Sequence, residues 1–140
     1  TLEQEGVLAA LDRRASLVGP GHIEVRGDRS LRLSPDIEAV LYRVGLEAMM
    51  NSVKNVGSNG GKDTTIRVLM ETDSDSVVLS VQDNGPGFDV EEVLQRSDKW
   101  GLRRMRQAVE QAGGELDIDS SPGEGATLQV TLRLGDYCGL

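Results

Sequence analysis

The chain holds 140 residues, with Lys plus Arg at 15 against Asp plus Glu at 23, a formal net charge of −8. That length suits one domain able to bury a core without disulfides or structural metal, and the acidic balance weighs against a surface built to clasp a nucleic-acid backbone. A single cysteine, Cys138, and a single histidine, His22, exclude an internal disulfide and the Cys- or His-rich metal motifs. No apolar run nears the roughly 18 residues of a membrane span, and no signal-peptide layout opens the chain. A start at Thr1 rather than Met is expected of a piece of a longer, soluble, reduced protein.

From the N-terminus, Leu8, Leu11, Ala15 and Val18 fall at helical spacing within Leu2–Val18, and Gly19-Pro20-Gly21 stops that helix. Ile23 and Val25, then Leu31 and Leu33, alternate around Gly27-Asp28 and predict two short strands between His22 and Leu33. Ser34-Pro35 supplies a capping hydroxyl followed by proline at the first helical position. The long helix it opens runs to about Val56, and the glycine-rich loop 57–61 ends it. Two strands are predicted over Thr64–Met70 and Val77–Gln82, joined by the polar Glu71–Ser76 as a looped hairpin. Val77-Val78-Leu79 is apolar on both faces and predicts a central strand covered on both sides.

Asp83-Asn84-Gly85-Pro86-Gly87 breaks that strand. Asp89 is placed to cap a short helix over Val90, Val93 and Leu94, with Glu92 as in a capping box. Leu102, Met105, Val109 and Ala112 stripe a further helix that Gly113-Gly114 stops. Leu116 and Ile118 mark a strand, 121–125 a turn, and Leu128, Val130, Leu132 and Leu134 the last strand. Adjacent strands without intervening helices mean hairpins. The predicted fold is therefore α+β, a two-layer sandwich of a mixed, mostly antiparallel sheet with helices on one face. The other face needs cover from a lid, a partner or water.

Several chemistries fail on spacing. Gly61-Lys62 is followed by Asp63 and has Val56 five positions before Gly61, so no Walker-type phosphate loop is present. Val90 and Leu128 stand where the third glycine of a dinucleotide fingerprint would be. His22 lacks the nucleophile motif of a hydrolytic triad. Four weak features remain. Glu47, Asn51 and Lys54, at i, i+4 and i+7, lie within about 60° on one helix face; alone they read as a solvent face before they read as a site. Asp83 ends an apolar strand before a Gly-Pro-Gly turn, where a carboxylate can accept from an exocyclic amine and glycines let a planar ligand near the backbone; alone it reads as an ordinary turn. Lys99-Trp100-Gly101-Leu102 leads a loop into a helix start, the kind of place that binds phosphate. Gly123 to Thr127 makes a glycine turn with a hydroxyl at Thr127.

In this order the four features resemble the ATP-binding domain of sensor histidine kinases, within the wider family of gyrase, heat-shock-chaperone and mismatch-repair ATPases. Residues 46–55 resemble the family's asparagine box and 83–88 its first glycine box. Residues 101–106 resemble its second box and 123–127 the closing glycine-threonine element. The likeness runs from about Leu2 to Leu134 and implies the Bergerat-type fold. The short lid, 89–100, and the Gly-Leu-x-x-Met-Arg behind it resemble the nitrate-sensor and desaturase-thermosensor subclass, and the opening 2–7 resembles the stretch after that subclass's dimerisation helices.

The resemblance implies an ATP and Mg²⁺ site. Asn51 would be the metal ligand, Lys54 would offset phosphate charge, and Asp83 would hold the adenine amino group with Gly85 and Gly87 making room. Gly101 and Leu102 would present backbone to phosphates, with Lys99 and the sole tryptophan, Trp100, in the lid. Thr127 would support Asp83 or a bridging water. Glu47 matches the acidic position that orients water in hydrolysing relatives, and would be the catalytic base. Asn55 completes the ATP-binding set, where the subclass usually has histidine; Ala126 stands where threonine or serine is common.

The implied function is γ-phosphoryl transfer to a histidine on dimerisation and phosphoacceptor helices outside this chain, followed by relay to a response regulator. No nucleic acid, no direct membrane contact and a cytoplasmic location are expected of this domain. His22 does not lie in a phosphoacceptor box, so the piece alone is not expected to phosphorylate itself. An anti-sigma-factor type of serine kinase, and a degenerate partner-binding module without nucleotide affinity, stand as alternatives.

Overall fold

The computed structural model describes residues 2–17, 22–59, 65–85, 87–96 and 101–134. Five strands form one sheet in the order β1-β2-β3-β5-β4, with β1 His22–Arg26, β2 Thr65–Thr72, β3 Ser76–Asp83, β4 Glu115–Ser120 and β5 Ala126–Arg133. β1 runs parallel to β2 and every other pairing is antiparallel. The helices are α1 Leu2–Glu5, α2 Val7–Ala15, α3 Pro35–Asn59, α4 Val90–Arg96 and α5 Leu102–Gln111. None of them is long and apolar enough to cross a membrane. The long α3 lies between β1 and β2 in sequence and supplies the crossover that their parallel pairing requires.

Alternation sets which face each strand buries. Ile66, Val68 and Met70 of β2, Val77, Leu79 and Val81 of β3, and Leu128, Val130 and Leu132 of β5 are buried in one cluster. Leu8 and Leu11 of α2, Leu41, Val44 and Met49 of α3, and Met105 and Val109 of α5 complete it. The α+β two-layer expectation therefore holds. β3 is central in the sheet, but Val78 is only half-buried where Val77 and Leu79 are fully buried. Its second face carries no helical layer because the register sets it beside Glu71 and Thr131 on a polar surface.

Three boundaries differ from expectation. The first helix breaks at Gly6 (φ 87°) into α1 and α2. The hairpin loop is short, closed by the Asp73 N–H donating to the Ser76 carbonyl at 3.0 Å. Only one strand forms between 22 and 33. The second is lost because its backbone donors are taken locally: Leu31 N–H donates to the Asp28 carbonyl, and Leu33 N–H to Glu38 Oε2 at 3.3 Å. Glu38, 4% exposed, also receives the Arg32 guanidinium in a two-pronged pair at 2.9 and 3.0 Å. That pair and the Ser34 cap, with Glu38 N–H on the Ser34 carbonyl at 2.9 Å, fix where α3 begins.

Asp89 caps α4 through the Glu92 N–H, 3.1 Å from its Oδ1. α5 ends as expected, with Gly113 N–H donating to the Glu110 carbonyl and Gly114 N–H to the Val109 carbonyl, the two bonds of a Schellman motif. At the sheet edge, β4 pairs only with β5 among the described residues and turns Glu115, Asp117 and Asp119 outward.

Candidate functional site

A cleft opens where α3 crosses the ends of β3 and β5. Ala48, Asn51 and Ser52 of α3, Val81 and Asp83 of β3, Phe88, Leu102 of α5, Ile118 of β4 and Ala126 to Leu128 of β5 line it. The cleft is open on one side, and its empty volume is about 390 Å³. Asp83 is 5% exposed and faces the helical layer, since it pairs in register with Ile66 and Ala126. Its Oδ1 accepts the Gly85 N–H at 2.9 Å, which fixes the carboxylate plane. Asn84 turns away and continues the β2–β3 ladder, its Oδ1 accepting the Thr65 N–H at 2.7 Å.

The turn after β3 is locked onto the β4–β5 turn. Phe88 N–H donates to Ser120 Oγ at 2.9 Å, and that hydroxyl donates to the Gly125 carbonyl at 2.8 Å. Gly87, at φ 68°, packs so closely that a Cβ would strike the Ser121 carbonyl. Its glycine is thus required by a backbone-to-backbone contact as well as by any approaching ligand.

The long helix presents Asn51 half-buried at the cleft, with Glu47 one turn before it and Lys54 exposed about one turn after. Glu47 does not stand alone: its Oε1 accepts from Arg104 Nη2 of α5 at 2.7 Å. Gly101, buried at φ 68°, caps α5 without a side-chain bond, and Leu102 beside it is 4% exposed in the cleft wall. Asp83, Gly85, Gly87, Asn51, Glu47, Gly101 and Leu102 are thus gathered around one end of the sheet.

Thr127 lies in the lining of the cleft. It pairs with Gln82 and Asp119, while Ala126 stands opposite Asp83. Ala126 and Leu128 therefore share the face of Asp83 by strand alternation, and Thr127 borders the cleft between them. Lys99 and Trp100 lie outside the described residues, as does the side chain of Asn55. Val81, Ile118 and Leu128 line the cleft outside any motif of the sequence, whereas Ala48, Ser52 and Phe88 fall within residues 46–55 and 83–88. Ala48 and Ser52, at i and i+4 beside Asn51, were the available signal. Among the described residues no three His, Cys, Asp or Glu side chains cluster as a metal cage.

A mostly antiparallel sheet under one helical layer, with a buried carboxylate at a strand end facing a long helix, is the build of a nucleotide-binding ATPase domain. The chain belongs to the family of histidine kinase-, DNA gyrase B- and HSP90-like ATPases, which it matches over residues 36–136. It is 35% identical over 104 residues to the signal transduction histidine-protein kinase/phosphatase DegS of Bacillus subtilis, covering 74% of this chain and 26% of DegS. It is 33% identical over 106 residues to the sensor protein VraS of Staphylococcus aureus, covering 76% of this chain and 28% of VraS. The chain thus spans a minor part of these relatives' length.

In fold it is similar to the blue-light activated histidine kinase EL346 of Erythrobacter litoralis, at TM-score 0.80 and 20% identity over 96% of this chain and 43% of that one. The catalytic domain of the histidine kinase ThkA matches at TM-score 0.66 and 16% identity, over 91% of this chain and 87% of that one.

Proposed function

We propose that this chain is the ATP-binding catalytic domain of a sensor histidine kinase, which transfers the γ-phosphoryl group of Mg-ATP to a histidine on dimerisation helices outside it. A response regulator would then receive the phosphoryl group, and the domain would work on the cytoplasmic side of whatever the parent protein spans. The observation that carries this reading is Asp83. One carboxylate oxygen is pinned by Gly85, and the other accepts no hydrogen bond among the described residues. A buried acceptor held that way matches the exocyclic amine of adenine, and would leave a guanine carbonyl facing a carboxylate.

Asn51 suits Mg²⁺ because an amide carbonyl is a hard oxygen ligand, and Mg²⁺ keeps waters and phosphates as its remaining partners instead of a protein cage. When bound, the ion would neutralise triphosphate charge. Lys54, one turn on, adds a cation near the same phosphates. The α5 start at Gly101 and Leu102 offers backbone N–H groups to them. A purine held at Asp83 would lie between Phe88 and Leu102 of the cleft wall, next to the start of α5.

Calorimetry with Mg-ATP, Mg-GTP and adenosine tests the reading. Heat with Mg-ATP and adenosine, and at most weak heat with Mg-GTP, is expected. Silence toward all three at millimolar concentration would leave the degenerate partner-binding module. Incubation of an ATP-binding domain with its separated dimerisation helices should label a histidine there; a labelled serine on a regulator protein would instead favour the serine kinase.

A further inference from the structure

We propose that Arg104 is a phosphate-binding residue of this cleft, held on Glu47 until a polyphosphate draws it off, so that the pair makes the site favour triphosphate over adenosine. The inference rests on the nucleotide reading above and adds a residue and a selectivity to it.

Three observations meet at one point. The Glu47–Arg104 contact of 2.7 Å bridges α3 and α5 across 57 residues of sequence. It lies against Gly101, where a Cβ would strike both the Glu47 carboxylate and the Arg104 guanidinium. Glu47 is also one turn before Asn51, on the face that borders the cleft. The carboxylate therefore sits beside the start of α5, where the helix dipole favours an anion, and Gly101 supplies no capping side chain there. A carboxylate so placed competes for the ground that a phosphate would use.

The exchange is chemically easy. The Arg104 side chain is 62% exposed and that of Glu47 25%, and ion pairs this open to water are weak. A guanidinium fork matches the oxygens of phosphate as well as those of carboxylate. A triphosphate brings several negative charges, so it outcompetes the single charge of Glu47. Arg104 lies two residues beyond Leu102, so its swing onto phosphate moves the same helix start that walls the base. Glu47 is released in the same step and freed from its counter-charge.

The test compares Mg-ATP with adenosine on the wild-type chain and four variants by calorimetry. Arg104→Ala should weaken Mg-ATP about tenfold, the loss of one charge-assisted hydrogen bond, while adenosine stays within about twofold. Glu47→Gln should strengthen Mg-ATP severalfold by removing the carboxylate that competes for Arg104, and that gain should vanish in the Glu47→Gln, Arg104→Ala double variant. Arg104→Lys, which keeps charge without the fork, should fall between wild type and Arg104→Ala. Parallel weakening of both ligands by Arg104→Ala with a lowered melting midpoint would make the pair a plain strut, and a loss of Mg-ATP affinity in Glu47→Gln would also overturn the proposal. Wild-type chain that binds neither ligand would instead overturn the nucleotide reading beneath it.

Discussion

Asp83 carries two duties that one substitution can separate. Its Oδ1 holds the Gly85 N–H, and an amide oxygen does that equally well. Its other oxygen is the proposed acceptor for adenine, and an amide nitrogen there presents a donor to a donor. Asp83→Asn should therefore keep its melting midpoint and lose ATP affinity by about five- to 150-fold, the cost of a buried unsatisfied group at about 1–3 kcal/mol. A titration showing unchanged binding would remove Asp83 from the site. Asn51 is tested by a different contrast. Asn51→Asp adds charge beside the proposed metal and phosphates, so Mg-ATP affinity and its Mg²⁺ dependence should shift while adenosine affinity holds. Equal weakening of both would make Asn51 part of the cleft wall and nothing more.

Among the elements, α3 is positioned by its own first turn. Arg32 holds the Glu38 carboxyl below its ordinary range, helped by the Leu33 N–H and opposed by burial. A depressed carboxylate contributes its stability above the unfolded-state value and loses it as pH falls through the folded one. The chain should therefore lose stability on acidification below about pH 4.5, the ordinary value for a glutamate. Asp73 and Asp28, lowered by their turn hydrogen bonds, act in the same direction. Glu38→Gln should cost about 1 kcal/mol at neutral pH and flatten that acid slope in part. Urea midpoints at pH 7, 5 and 4 read both effects, and an unchanged slope would acquit Glu38.

The same turn explains what sequence could reveal. Ser34-Pro35 announces the α3 start, because a cap and a fixed φ act through neighbours, and Gly113-Gly114 announces the α5 end for the same reason. Leu31 and Leu33 mislead, because their alternation is that of a strand while their donors go to Asp28 and Glu38. At the site, Asp83, Asn51 and Gly101 stand out by motif. Whether Ala126 or Thr127 faces Asp83 depends on strand parity, which the turn sets and composition does not reveal. The Glu47–Arg104 pair was beyond reach, since nothing local relates residues so far apart.

At the scale of the whole molecule, the sheet has one face committed to the helices and one left polar, and the proposed site lies at an end of the sandwich. There α3, the β3 and β5 ends and the start of α5 converge, and their separation in sequence lets each contribute one group without crowding the others. The net charge of −8 repels an anionic ligand at long range, so the local cations Lys54 and Arg104 must do their work at short range, where salt screens them least.

The outward row of Glu115, Asp117 and Asp119 on β4 has a consequence for how copies of this domain coexist. A bare strand edge is a template on which another chain can add a strand, and three carboxylates spaced along it make every such addition bring like charges together. Edge-to-edge pairing between crowded copies is thereby expected to be disfavoured. Replacing the three by Gln, Asn and Asn should barely move the melting midpoint, since all are exposed, yet shorten the lag before thioflavin-positive aggregates form at neutral pH. Wild-type chain brought near its isoelectric point, about pH 4.6, should behave alike, because protonation there begins to erase the same fence.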